Sequence, residues 1–329
     1  MTGRELHQRV PVLDAHVDTV LALEQGREFG ARSAEGHVDL PRLAEGGVRY
    51  QVFALFVEPA HKPDRALARA LHLWDVLRGA LERSRDRVRV CTTADDLRQL
   101  PPTGHLAAIL SVEGGEPIGT DLALLRVLHR IGVRAMGLTW NERNAIADGA
   151  GEAAAGGGLT VFGREVVREM NRLGMVVDVS HLCRRSFWDV LDTSGQPVIA
   201  SHSNARALCE HERNLDDAQI RALAAAGGVM GMNFYARFLH PEPERADVER
   251  LCQHIDHIAG LVGPAHIGLG SDFDGISQTP RGLEDVSRLP ALTDALLGRG
   301  YREEDVAGIL GGNFLRLFER VWGAAEPAL

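Results

Sequence analysis

Eight short runs of β-favouring, mostly apolar residues recur along this chain of 329 residues, and most are followed by a stretch of helical period. The runs are 10–17, 50–57, 106–112, 133–139, 175–180, 197–201, 228–234 and 266–271. Between them, apolar residues repeat near every 3.6 positions over 66–87, 121–130, 164–173, 184–191, 217–226 and 247–261. Gly132, Gly174, Gly227 and Gly263 stand where helices should close before the next strand. Strands joined by helices pair in parallel, and a continuously apolar run such as Met175-Val176-Val177 suits a sheet buried on both faces. Eight such units predict one (β/α)8 TIM barrel over residues 1–329, with extra C-terminal helices over 284–323. A doubly wound open sheet is the alternative. No G-x-G-x-x-G follows the first run, which weakens its dinucleotide-binding form. The Gly/Ala-rich stretch 149–158 is expected to be a mobile surface loop near the active-site face.

Composition narrows the chemistry. Hydrophobic residues make up 45% and charged residues 25%, enough for a large core under a soluble surface. A net charge of −9 makes nucleic acid and anionic membrane poor partners. No apolar run approaches the roughly 20 residues that cross a bilayer, and the first residues lack a signal-peptide core, so a cytoplasmic location is expected. Cys91, Cys183, Cys209 and Cys252 form no CxxC pair and are expected to be small buried hydrophobes. Lys62 is the only lysine, beside Pro63 at the start of a helical stretch, where a solvated role is expected. A buried catalytic lysine or a carbamylated lysine bridging two metals is therefore not expected.

In a barrel, catalytic groups sit at the C-terminal ends of the strands. His16 and Asp18 end the first run, Glu113 follows the third, His181 the fifth, His202 the sixth and Asp272 the eighth. Three imidazoles and three carboxylates on one rim are ligands enough for two borderline cations such as Zn²⁺. Two cations close together need a bridging anion and a bridging water or hydroxide. With no lysine for that work, Glu113 is the best-placed bridge. His16, Asp18 and Glu113 then hold one ion, and Glu113, His181 and His202 the other. Asp272 is left as general base for the water. The remaining histidines, His211 among them, are assigned to surface or core.

The chain resembles the membrane (renal) dipeptidase family of the amidohydrolase superfamily over essentially its full length. The matching segments include Asp14-Ala-His-Val-Asp18, Ser111-Val-Glu-Gly114, Asn171-Arg-Leu-Gly-Met-Val-Val-Asp-Val-Ser-His181, Pro197-Val-Ile-Ala-Ser-His-Ser203, Arg213-Asn214, Asn233-Phe-Tyr235 and Gly270-Ser-Asp-Phe-Asp-Gly275. The resemblance implies a homodimeric enzyme with two Zn²⁺ per chain that hydrolyses dipeptides through a metal-bridging hydroxide, often with a D-residue at the C-terminal position. It implies the same ligand set, Asp272 as acid and base, and Arg213 as the holder of the substrate carboxylate. Family members commonly carry a histidine after Leu-Thr at the end of strand four, where this chain has Trp140. An indole offers one N–H and no charge. Asn141, Arg143 or Asn144 is expected to assume the histidine's work, or the substrate sits differently. Trp140, Asn141 and Tyr235 join Arg213 as expected substrate contacts. Two other readings compete: a mononuclear or otherwise divergent amidohydrolase acting on a peptide-like or cyclic amide or lactone metabolite, and a non-catalytic scaffold or a maturation enzyme acting on a peptide-like metabolite.

Overall fold

The computed structural model describes residues 2–325. Nine parallel strands form one sheet: β1 (Val12–Val17), β2 (Val48–Phe56), β3 (Val88–Val90), β4 (Leu106–Glu113), β5 (Val133–Gly137), β6 (Val176–Asp178), β7 (Ile199–Ser203), β8 (Val229–Met232) and β9 (Ile267–Leu269). The order is β2-β1-β9-β8-β7-β6-β5-β4-β3, and β2 also pairs with β4, so eight strands close into a barrel. The closing seam is long, in register from Tyr50 beside Ala107 to Phe56 beside Glu113. Neither of those facts leaves room for the open sheet.

β3 is the strand that the sequence reading missed. It pairs with the lower half of β4, Val88 beside Leu106, beneath the point where β5 joins at Leu110. Three residues with Arg89 in the middle are too short to show a period of two. The expected C′ glycines are in place: Gly132, Gly174, Gly227 and Gly263 all have positive φ, between 69° and 106°.

Below the mouth the barrel is filled, and its lower end is plugged from outside. Leu13, Tyr50, Ile109, Val176 and Ile199 share one cluster with Phe314, Phe318 and Trp322 of the C-terminal helix Asn313–Gly323. Asn313 Nδ2 donates to the carbonyls of Pro264 and Ile267, each at 2.8 Å, which ties that helix to the start of β9. Gly268 makes the fit feasible, because a Cβ there would lie 2.2 Å from the Phe314 ring. The last of the helices expected over 284–323 thus acts as a floor, and only the C-terminal ends of the strands remain open to chemistry. All four cysteines are free and buried, as expected of small core residues.

His254 gives the fold a defined acid sensitivity. On the buried face of the helix Val248–Val262, its Nδ1 accepts from Ala205 N–H (3.2 Å) and its Nε2–H donates to Leu239 O (3.0 Å). Burial pushes its pKa down to about 4. The unfolded chain binds a proton below about pH 6.5, and the folded chain refuses it. Stability is therefore intact above pH 6.5 and falls as pH drops toward 4, by about 3 kcal/mol from this residue at 1.36 kcal/mol per unit. Urea midpoints measured from pH 7 to 4 should show a flatter decline in His254→Gln. An unchanged slope would mean that the imidazole titrates normally in the fold.

Candidate metal centre and substrate cleft

The predicted ligands meet above the barrel axis. His16 Nε2 lies 3.5 Å from Asp18 Oδ2 and 3.4 Å from Glu113 Oε2. The other oxygen of Glu113, Oε1, lies 2.8 Å from His181 Nε2 and 3.7 Å from His202 Nε2. One carboxylate therefore faces two donor sets with separate oxygens. Two groups have donor atoms all within 4.8 Å of one another: His16, Glu113 and His202, and His16, Asp18 and Asp272. Asp272, expected only as a base, thus also lies within reach of an ion held by His16 and Asp18.

Neighbouring strands fix these side chains by one device used twice. Asp14 accepts from the N–H (2.9 Å) and hydroxyl (2.5 Å) of Ser271, locking the end of β9 to β1. Asp178 accepts in the same way from Ser201, at 2.9 and 2.5 Å, locking β7 to β6. Since the Ser201 hydroxyl spends its proton on Asp178, its oxygen accepts from His202 Nδ1–H at 2.7 Å. The Nε2 of His202 is then the lone-pair nitrogen, 2.9 Å from His181 Nε2 and 3.7 Å from Glu113 Oε1. His181 is held likewise, Nδ1–H donating to Asn141 Oδ1 at 2.9 Å. Metal-bound imidazoles are commonly oriented by such partners. The sequence reading named Asp14 and Asp178 only as strand residues and missed Ser201 and Ser271; an acidic residue two or three positions before a rim histidine was the available signal.

The cluster fits cations better than it fits their absence. His16 Nε2 and Asp18 Oδ1 are buried with no hydrogen-bond partner. Burial lowers and the Glu113 and Asp18 carboxylates raise the His16 pKa, and the carboxylates win. Burial, then the Arg213 charge, pushes His181 down to about 3, so it stays neutral, as a ligand must. Burial and the nearby Asp18 push Asp272 up to about 8. Three carboxylates crowded on one imidazole are costly in a low-dielectric site, and cations would remove that cost. Backbone strain gathers here too: among the described residues the non-glycine positive φ values belong to His181 (68°), Asp272 (63°) and Asp274 (66°). Gly275 allows this turn, since a Cβ on it would sit 2.0 Å from Asp18 Oδ2 and 2.8 Å from Asp272 Oδ1.

A cleft of about 340 Å³ opens over the cluster, in the range of small-molecule sites. Trp140, Asn141, Arg213, Tyr235 and Asp272 all line it, as do Phe56, Phe238 and His211. Arg213 is buried, its Nη2 donates to His202 O at 3.2 Å and its Nε has no hydrogen-bond partner. Burial lowers its pKa to about 10, so it remains a cation without a carboxylate bound to it.

Three expectations need correction. His211, assigned to surface or core, lines the cleft: its Nδ1 accepts from Arg213 N–H at 3.1 Å, and its ring packs 4.4 Å from Phe238. Lys62 is not solvated. Its side chain is only 10% exposed, with Nζ 3.2 Å from both Glu116 Oε1 and Glu142 Oε2. The stretch 149–158 lies at the surface beside the site, as expected, with a 3₁₀ turn, Ala150–Ala155, tied at its start by Ala150 N–H to His181 O (2.7 Å) and Gly151 N–H to Asn141 O (2.9 Å). Two of the three residues offered in place of the family histidine are engaged elsewhere. Arg143 pairs with Asp148, while Asn144 Nδ2 donates to Leu138 O at 2.8 Å and its Oδ1 accepts from Ile146 and Ala147. Asn141 remains in the cleft, with its carbonyl oxygen given to His181.

A closed parallel barrel whose open end gathers histidines and carboxylates around a shared glutamate defines a metal-dependent hydrolase of the amidohydrolase kind. The comparisons carry this to a family. The chain belongs to the membrane dipeptidase family, peptidase family M19, whose model matches residues 2–328. It is 37% identical to Dipeptidase tcpJ of Claviceps purpurea over 296 residues, 87% of this chain and 69% of that protein. It is 34% identical to Dipeptidase aclJ of Aspergillus oryzae over 327 residues, 94% and 78% of the two chains. A metallopeptidase from Rhodobacter sphaeroides, solved with a phosphinate mimic of the dipeptide L-Ala-D-Ala, superposes with a TM-score of 0.89 at 34% identity, covering 95% of this chain and 99% of that one. The protein is a metallodipeptidase of this family. Among the described residues, no helix is long and apolar enough to cross a membrane.

Proposed function

We propose that the protein cleaves dipeptides with two Zn²⁺ ions, one held by His16, Asp18 and Glu113 and the other by Glu113, His181 and His202. The observation that carries this reading is the division of Glu113, whose Oε2 faces His16 and whose Oε1 faces His181 and His202. Ions bound there would supply a Lewis acid for the scissile carbonyl and a water acidic enough to attack near neutral pH. The protein's own groups supply the rest. Asp272 Oδ2 accepts from Asn233 Nδ2 at 2.9 Å, which leaves Oδ1, 4.0 Å from His16 Nε2, to take a proton from the attacking water. The same carboxyl then returns that proton to the leaving amine. Arg213 presents a buried guanidinium to the substrate's C-terminal carboxylate, for which its fork of donors is suited. That contact selects the last peptide bond of a substrate, the one with a free carboxylate a single residue beyond it, and so suits a dipeptidase and not an endopeptidase.

The test compares a dipeptide with its C-terminal amide. Losing a charge-assisted hydrogen bond costs about 1.5–3 kcal/mol, or about 10- to 150-fold in kcat/KM. Amidation should cost the native enzyme a factor in that range, and Arg213→Ala should cost the free acid a similar factor. The amide should lose little more in the variant. Two independent, multiplying losses would remove Arg213 from the carboxylate.

A further inference from the structure

The cleft has an aromatic wall for which the roles assigned so far have no use. Phe56 ends β2 beside Glu113, and its ring lies 5.3 Å from that of Trp140, which in turn lies 5.9 Å from His181. Both Phe56 and Trp140 are half-buried and line the cleft. Lys62 backs the pair from outside the cleft, with Nζ 5.4 Å from the Trp140 ring centre and 5.9 Å from that of Phe56. It is held there between Glu116 and Glu142. A cation over an aromatic face is attractive, so the wall is fixed in place. The charge behind it sums to one positive against two negative groups.

The barrel order gives this wall its occupant. Going round the ring as β1, β2, β4, β5, β6, β7, β8 and β9, strand β2 stands four places from β7, directly across the mouth. Arg213 follows β7, and Phe56 ends β2. A dipeptide whose carboxylate rests on Arg213 and whose scissile carbonyl lies over Glu113 therefore extends its N-terminal residue toward Phe56 and Trp140. Of the two groups on that residue, the charged amine has no acceptor on an aromatic wall and has the carboxylates Asp18 and Asp272 beside it. The side chain takes the wall.

We propose that Phe56 and Trp140 form the subsite for the N-terminal side chain, and that the enzyme prefers dipeptides beginning with a bulky apolar or aromatic residue. This rests on the dipeptidase reading with the carboxylate at Arg213. An acidic N-terminal side chain is disfavoured, since Lys62 is already neutralised by its two glutamates.

The experiment measures kcat/KM of metal-loaded protein on Gly-Ala, Leu-Ala, Phe-Ala and Glu-Ala, each with L- and with D-alanine. Hydrophobic pockets discriminate by roughly 10- to 200-fold per group filled. Leu-Ala and Phe-Ala should exceed Gly-Ala and Glu-Ala by about tenfold or more. Trp140→Ala should lower the Leu and Phe substrates about tenfold more than the Gly substrate, and Trp140→Phe should keep most of the preference. Phe56→Ala and Trp140→Leu give the same comparison where Trp140→Ala yields little folded protein. A flat panel in the native enzyme, Glu-Ala equal to Phe-Ala, or an equal loss on every substrate in the variants would overturn the subsite while leaving the dipeptidase reading intact. No turnover of any dipeptide by native, metal-loaded protein would overturn both.

Discussion

Glu113→Gln is expected to drop the metal content of purified protein from the proposed two ions per chain to one or none and to remove nearly all dipeptide turnover. The substitution keeps the shape of the side chain and takes away its charge. In the native protein each oxygen faces its own group of imidazole nitrogens, one toward His16 and one toward His181 and His202. An amide must turn its NH₂ toward one of these sets, where it has nothing to offer a cation. Burial would raise the Glu113 pKa, but His16 and His181 hold it well below the usual carboxylate range, so the anion is present throughout the physiological range. Lewis-acid stabilisation is worth several kcal/mol, and each 1.36 kcal/mol is tenfold in rate, so the loss should be roughly 10³-fold or more. Metal analysis after dialysis and a dipeptide assay on the same sample decide it. Two ions and native turnover in Glu113→Gln would mean that the shared-carboxylate arrangement is wrong.

Much of this architecture was legible in the sequence for physical reasons that differ from part to part. The barrel showed itself because buried parallel strands are apolar on both faces and the helices between them carry one apolar stripe, as in β4 and the helix Val161–Leu173. Rim residues were legible because a polar group directly after an apolar run is costly unless it has work to do, and His16, Glu113, His181 and His202 all meet as that rule requires. What stayed hidden depends on contacts between distant segments. Ser201 matters because Asp178 takes its proton, and only the acidic residue three positions before His181 hints at that bond; Asn233 matters because it holds Asp272, and that bond leaves no local pattern. Lys62 was misread because its partners, Glu116 and Glu142, arrive from loops 54 and 80 positions away. His211 was misread because its place in the cleft follows from the course of the segment after β7, which carries no period to read.

Asp272→Asn should separate proton transfer from metal binding. Metal content should stay near native, because the proposed ligand sets do not need this side chain, and KM should change little. The kcat should fall by about 10²- to 10⁴-fold, the usual contribution of a general acid–base group. Asp272 is suited to the work by its surroundings: a left-handed backbone aims it into the cleft at φ 63°, one oxygen is anchored by Asn233, and Gly275 leaves space beside the other. Asp274, two residues on, is the rival base, and its contacts argue against it. Its Oδ2 accepts from Arg27 Nη1 and Thr19 Oγ1, each at 2.8 Å, and its Oδ1 accepts from His37 N–H at 2.7 Å. A carboxylate with three donors on it, one of them a guanidinium, has both oxygens engaged and little freedom to move. It serves to hold the turn that carries Asp272 against the start of the helix Thr19–Glu24. If Asp272→Asn kept near-native kcat with full metal, the proton would have to travel by another group, and the strained turn from Asp272 to Gly275 would need a different explanation. If instead it lost metal along with activity, Asp272 would be a ligand beside His16 and Asp18, and the proposed base would fall.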